Sequence, residues 1–450
     1  MIAARLRGRD ALVSRLEEAL REAGGDGARA FVTVRQGEHT RFAGGRVHQP
    51  QAVEEVQLMV TVDRGGGAAR VATSRLEDAR AAGAEALRRA AALSPGHPPE
   101  EGAPGAASGS FSHWHEDTAA WDAGARSQLA SVAMTLARAA GATANGMLSR
   151  VLVEMATAGS TGSAYLRATE AAATLLVRQG AGSAYRGDLG RSVEQMAVEE
   201  LVRSALAEAA AARDPEPLPP GTYDVVLGPL AVGDMLTFFG GMGFTGDAVA
   251  AGAGAVATRK GQPVASELVT VADDALSAEV GLPIPFDIEG MPKVQVPMLD
   301  RGRVRGAVFD LGTARAAGGT KTTGHAHIGR EEAPCPTPAN LILRPGSSTT
   351  AELIQGVDDG LYISRFHYTR MVDPEASTFT GVTRDAAFRI REGRLAGPVA
   401  SSRFTEEVLG IMRRTDGVGS QLVSQPIMNV WNGVASAPSL RVRGFRLGFR

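Results

Sequence analysis

Apolar residues recur at helical spacing over residues 10–22, where Leu12, Val13, Leu16, Ala19 and Leu20 share one face and charges fill the other. The period then falls to two. Residues 30–34, 40–48 and 53–62 alternate as strands, with Gly37, Gly44-Gly45 and Gly65-Gly66-Gly67 as turns, which predicts an antiparallel meander. Ser74 opens an Ala/Arg/Glu-rich helix running to about Leu93, with Glu77 as its capping-box partner. Residues 94–110, rich in Pro, Gly and Ser, read as a loop. A second round follows: a helix over 123–140, strands over 144–157 and 163–179 with a hairpin between Gly159 and Gly162, a turn over 183–187, and a helix over 192–212. Two rounds of sheet followed by helix predict an α+β N-terminal domain over residues 1–212.

Pro215, Pro217, Pro219 and Pro220 make residues 213–221 a linker, because so many prolines can neither continue a helix nor enter a central strand. Residues 222–450 then read as strand-dominated. Strands are expected over 223–227, 294–299, 304–310, 339–343, 361–368, 378–384, 387–391 and 440–447, with a late one over 420–431. Pro229 sits where a helix would start, and further helices are expected only near 351–357 and 404–412. The hydroxyls of residues 347–350 ahead of Glu352 read as an N-cap. Residues 244–274 pass from Ala-rich helical composition through Thr258-Arg259-Lys260-Gly261 to strand alternation. The fold class is therefore α+β in two domains.

Composition narrows the function. Among 450 residues, 44% are hydrophobic, 21% are charged and the net charge is −2, which fits a globular chain and argues against a polyanion-binding one. The basic residues are almost all Arg, with Lys only at Lys260, Lys293 and Lys321, a coding bias that leaves scattered Arg without functional weight. No signal peptide is legible, and no apolar run reaches the roughly 18 residues that span a bilayer. The expectation is a cytoplasmic protein without membrane or nucleic-acid partners. The lone Cys335, in Ala-Pro-Cys-Pro-Thr-Pro, excludes an internal disulfide and reads as an inert loop thiol.

Two histidine clusters invite a metal reading. His113 and His115 would share one side of a strand, but no third ligand is in sight. His325 and His327 would also share a strand face, with Glu331, Glu332 or His367 needed to complete a set. The glycine-rich run 318–324 with Lys321 lacks the spacing of a phosphate loop and a helix directly after it. No nucleophile with a neighbouring His and acid is legible.

Five segments carry a family pattern: PGTYDVVLGPLAV at 220–232, RKGQPVASELVTVADD at 259–274, FDIEGMPKVQVPMLDRGRVRGAVFD at 286–310, PTPANLILRPG at 336–346, and the long stretch 358–406 that begins DDGLYISRFHYTR. In order and spacing they resemble the TldD/PmbA family, also called the modulator of DNA gyrase family, strongly in the second half and more weakly over 1–212. The resemblance implies a two-domain chain that pairs with a related subunit in a peptidase acting on unfolded or modified peptides. One subunit type, TldD, carries zinc on an H-E-x-x-x-H helix with a later Cys; the other, TldE or PmbA, lacks those ligands.

Here the H-E-x-x-x-H positions read Gly246-Asp247-Ala248-Val249-Ala250-Ala251, and the stretch expected to offer the Cys reads Thr415-Asp416-Gly417-Val418-Gly419-Ser420-Gln421. A catalytic zinc needs three protein donors and a base for its water, and Asp247 alone is insufficient. The chain thus resembles the TldE/PmbA side: no cofactor of its own, no catalytic residue, and zinc on a TldD-like partner. The family further implies that the strand at 361–368 lies near the peptide channel, with Arg365, His367, Tyr368, Thr383 and Arg384 as the substrate-binding candidates. The alternatives are a homodimeric peptide-binding or scaffold protein without proteolytic role, and an enzyme with a relocated metal at His325/His327.

Overall fold

A computed structural model describes residues 6–448 apart from 25–26, 65–66, 94–111, 241–242, 320, 329–333 and 427–432. The loop expected over 94–110, the end of the strand expected over 420–431, and Glu331 and Glu332 lie outside the described residues.

The N-terminal region is one six-stranded antiparallel sheet in the order β3-β2-β1-β4-β5-β6. Its strands are β1 (Ala28–Ala43), β2 (Arg46–Asp63), β3 (Ala68–Thr73), β4 (Thr143–Gly159), β5 (Gly162–Gln179) and β6 (Gly182–Gly190). The alternation along the strands buries both faces. Ala30, Val32, Val34, Leu58, Val60 and Val62 pack under α1 (Arg9–Glu22) and α2 (Ala79–Ala90). Phe31, Met59, Val151, Val153 and Met155 point the other way, onto Phe286, Ile288 and Ala326 of the C-terminal region. After the short α3 (Glu116–Ala119), α4 (Ala123–Ala139) and α5 (Val198–Ala211) complete the helical layer around Phe42, Leu148, Leu175 and Val177.

Three expectations in this half change. Gly37 is no turn: it lies inside β1, paired with Val53 on one side and Val151 on the other, and a glycine whose backbone is bonded on both sides does not break a strand. Residues 183–187 belong to β6, paired with β5, because the reversal falls at Gly180 just before them. The capping box of Ser74 and Glu77 does not form: α2 starts after a 3₁₀ turn over Leu76–Asp78, and the Thr73 hydroxyl accepts from the Arg75 N–H at 3.2 Å instead.

The C-terminal region holds two larger sheets. One has the order β16-β15-β14-β7-β21-β18 with β17 added on β15, from β7 (Gly221–Leu227), β14 (Asp359–Asp373), β15 (Thr378–Arg391), β16 (Arg394–Val399), β17 (Arg403–Glu407), β18 (Thr415–Val418) and β21 (Leu440–Leu447). The other runs β10-β9-β8-β13-β20-β19, from β8 (Val271–Asp273), β9 (Val296–Asp300), β10 (Arg303–Val304), β13 (Asn340–Leu343), β19 (Val423–Pro426) and β20 (Val434–Ala437). A two-stranded ribbon joins β11 (Ala326–Ile328) to β12 (Pro334–Pro336). The core between them is aromatic, with Phe366, Phe379, Phe404 and Phe445 in mutual ring contact.

Helix α6 (Pro229–Phe239) has Pro at its first turn as expected, and α10 (Thr350–Gln355) carries a capping box between Thr349 and Glu352. The strand expected over 304–310 ends at Val304. Asp310 caps a helix the pattern did not show, α9 (Leu311–Ala316), by accepting from the Thr313 N–H at 2.7 Å. The helix expected over 404–412 is split, because residues 403–407 pair with β15 as β17 before α11 (Val408–Arg413) begins. The Ala-rich start of 244–274 is two short helices, α7 (Gly246–Ala250) and α8 (Gly254–Arg259).

Candidate functional site

Where the N-terminal sheet meets the C-terminal region, a cavity of about 440 Å³ opens between β5 and β6, α6, β14 and β19. Two departures from regular pairing shape its wall. In β15, Asp385 and Ala386 take left-handed backbone angles, φ 52° and 69°, and form a bulge between the Arg365–Arg384 and Ile363–Ala387 pairs. In β14, Tyr368 does the same at φ 56° between the His367–Val382 and Arg370–Thr380 pairs. Such angles are costly for residues with side chains; here they accompany Tyr368 on the cavity wall and Asp385 behind it, against Arg365.

The first bulge brings Asp385 to Arg365. The guanidinium Nε donates to Asp385 Oδ2 at 2.8 Å, and Ser183 Oγ from β6 donates to Oδ1 at 2.6 Å, tying the two regions together. Arg365 also lies over the Tyr185 ring, 4.0 Å from its centroid. Opposite, Asp234 of α6 accepts from Gln425 Nε2 at 3.2 Å. Burial pushes the Asp234 carboxyl up to about 7, against the pull of Arg365 and Gln425. Burial likewise raises Asp188 and Tyr185.

Of the five expected binding residues, Arg365, His367 and Tyr368 line this cavity. His367 is held below the usual imidazole range by desolvation and by Arg384 and Arg365. Tyr368 is 65% exposed, with Arg370 over its ring. Thr383 and Arg384 are not on the wall. Thr383 is buried and exchanges hydrogen bonds with Ser402, while Arg384 points to solvent. The pattern did not single out Asp234, Asp188, Tyr185 or Gln425. One signal was present: Asp234 is the lone charge in the otherwise apolar helix PLAVGDMLTFF.

The cavity does not stand alone. A hollow of about 280 Å³ shares Asp188, Leu189 and Ser424 with it, and a third, of about 450 Å³, shares Arg191 with that hollow. The three form a row along the seam between the N-terminal sheet and the C-terminal region. Strand β6, which lines the first, is the last strand of its sheet and pairs only with β5. Its other side is not strand-paired among the described residues, but it packs against β15 and β19, and Gly281 abuts the Leu189 carbonyl.

The metal candidates do not converge. His325 is buried in the core with both ring nitrogens engaged, Nε2 at 2.9 Å from Asp273 Oδ1 and Nδ1 at 2.8 Å from the Thr323 carbonyl. His327 lies on the third hollow instead, its basicity lowered by burial and by Lys293. His113 is pushed down to about 4 by burial and Arg191, and His115 Nε2 sits 3.1 Å from the Ser112 carbonyl. Cys335, in β12, approaches Thr337 Oγ1 at 3.4 Å.

Zinc does not fit α7. Asp247 and Ala250 are exposed, and Gly246 is buried against α9. A Cβ on Gly246 would fall 2.4 Å from Thr313 Oγ1 and 2.6 Å from Phe309 Cδ1. The place where an imidazole would begin is already filled. Among the described residues, no group of three or more His, Cys, Asp or Glu is placed to hold a metal ion.

The sequence profile of the PmbA/TldA metallopeptidase C-terminal domain matches residues 220–448. A metalloprotease of Methanothermobacter thermautotrophicus is 27% identical over 228 residues, 51% of this chain and 49% of that protein. A protein named metalloprotease TldD homolog, from Buchnera aphidicola, is 29% identical over 228 residues, 50% of this chain and 45% of its own. The chain spans about half the length of the curated relatives it matches. The crystal structure of TldE from Thermococcus kodakarensis superposes with a TM-score of 0.84 at 17% identity, over 97% of this chain and 100% of that one, a likeness of fold. The architecture is thus one found in a metallopeptidase family. On the profile match, which takes in half of its residues, the chain belongs to the TldD/PmbA family.

Proposed function

We propose that this chain is the non-metal, TldE/PmbA-like subunit of a cytoplasmic peptidase complex, in which a TldD-like partner holds the catalytic zinc and this chain receives the peptide. The observation that supports the reading is Gly246: at the position that the family resemblance matches to the first zinc ligand, a Cβ would collide with Thr313 and Phe309. The chemistry of peptide cleavage would then fall to the partner. This chain would contribute the seam, whose row of hollows would take the side chains of an extended peptide. Arg365, held by Asp385 and stacked on Tyr185, would be a fixed donor to peptide carbonyls. No described helix is long and apolar enough to cross a membrane, which is compatible with a cytoplasmic place of work.

The test is reconstitution. Purified with a TldD-like partner, the chain should elute as a complex whose zinc tracks the partner and which hydrolyses an unfolded peptide. Freed of the partner, it should show no hydrolysis; cleavage by this chain alone would overturn the division of labour.

A further inference from the structure

The first cavity, of about 440 Å³, holds more negative charge than its own cations answer. Asp234 and Asp188 line it from α6 and β6. Each is half-buried, and each accepts through Oδ1: Asp234 from Gln425 Nε2 at 3.2 Å, Asp188 from the Leu189 N–H at 2.8 Å. Among the described residues, neither Oδ2 has a hydrogen-bond donor. Nor does a described cation act on Asp188; burial raises its carboxyl, opposed by that N–H alone. Arg365 acts on Asp234, but its guanidinium is bound through Nε and Nη2 to Asp385. Arg186, next to Tyr185, is paired with Glu208. Three carboxylates, Asp188, Asp234 and Asp385, thus stand around the one enclosed guanidinium of Arg365, while Arg370 and Arg384 are exposed to solvent.

The rest of the lining includes the apolar Met147, Ala172, Leu189 and Leu230. A lysine or arginine side chain has the matching make-up, a hydrocarbon stem with a cationic head. A metal ion matches less well, since calcium takes about six or more oxygen ligands and no described group of three His, Cys, Asp or Glu is placed to hold an ion. We propose that this cavity takes a basic side chain of the peptide, its charged head received by the free oxygens of Asp188 and Asp234 and its stem lying along Leu189 and Leu230. Resting on the reading of this chain as the peptide-receiving subunit, this selectivity gives the cavity a substrate class: unfolded segments that carry arginine or lysine.

The probes are three Ala/Leu hexapeptides blocked at both ends, with arginine, citrulline or glutamate at one central position. Citrulline keeps the shape of arginine and loses its charge. Each is titrated calorimetrically into the full chain at pH 8, where Asp234 is ionised. The arginine peptide should bind on the order of tenfold more tightly than its citrulline twin, as charge-assisted hydrogen bonds to half-buried carboxylates warrant, and the glutamate peptide most weakly. That ratio should fall in Asp188→Asn and in Asp234→Asn and reach one in the double variant, with melting curves read alongside. Equal binding of the arginine and citrulline peptides overturns the selectivity and leaves the peptide-receiving reading standing. Binding of none of the three overturns both. An arginine preference that survives both substitutions also overturns the proposal, because the cation would then be held elsewhere.

Discussion

Two regions of the molecule, one inside the C-terminal half and one at its seam with the N-terminal sheet, handle emptiness in opposite ways. At α7 the chain has closed the space: Gly246 rests against Phe309 and Thr313, and the capping box of Asp310 and Thr313 fixes the wall behind it. Along the seam it keeps space open and lines it with ionisable groups, Asp234 and Arg365 in one hollow and Lys293 and Arg191 in another. Close packing is the low-energy default for a protein interior, whereas buried charge beside a void must be compensated elsewhere. A filled site therefore needs no functional explanation, and an open polar one calls for one. The seam is therefore where the proposed function is to be tested.

The largest effect expected from breaking this contrast is at α7. Installing the ligand set as Gly246→His, Asp247→Glu and Ala251→His should destabilise the chain by about 3 kcal/mol or more through overpacking, and should bind no stoichiometric zinc. Denaturant melts and metal analysis check this; native stability with one zinc per chain would break the contrast. Next is Asp385→Ala, which strands the half-buried Arg365 guanidinium and removes the Ser183 link between the regions. Its cost should be about 3 kcal/mol in urea unfolding.

Asp234→Asn should do the reverse. The carboxyl sits at about 7 in the folded chain against an ordinary 3.8, so the folded state binds the extra proton between those values. Stability is therefore lost as pH rises through that window, and the deficit is complete above it. The Asn variant should gain on the order of 1 kcal/mol at pH 8 and nothing near pH 4, read from melting curves at both. The smallest effect separates residues on the wall from residues behind it: His367→Ala should weaken binding of an unfolded peptide about threefold, while Thr383→Val should leave it unchanged. Equal losses would show that the cavity is not the binding surface.

Much of the fold was legible because it is written in local periodicity. The alternation in β1 and β2, Pro229 at the start of α6 and the cap at Thr349 each depend on a few neighbouring residues. The misreadings have one cause. Gly37, residues 183–187 and residues 403–407 were settled by pairing with strands distant in sequence, which overrides a local turn or helix preference. For the site, alternation placed Arg365 and Thr383 on strands but could not foresee the bulges that bring Asp385 onto Arg365 and set Tyr368 on the cavity wall.

What the amino-acid order determined by itself is the two-domain α+β design, the family pattern of the second half and the absence of His and Cys at 246–251, since residue identity alone decides whether an imidazole is present. What only the tertiary structure decided is where the chain keeps room. That Gly246 is packed shut, that His325 and His327 face different surroundings, and that Asp234 and Lys293 line hollows on one seam all depend on contacts between residues dozens to hundreds of positions apart. Burial and the charges it isolates are properties of the assembled interior, which no local spacing encodes.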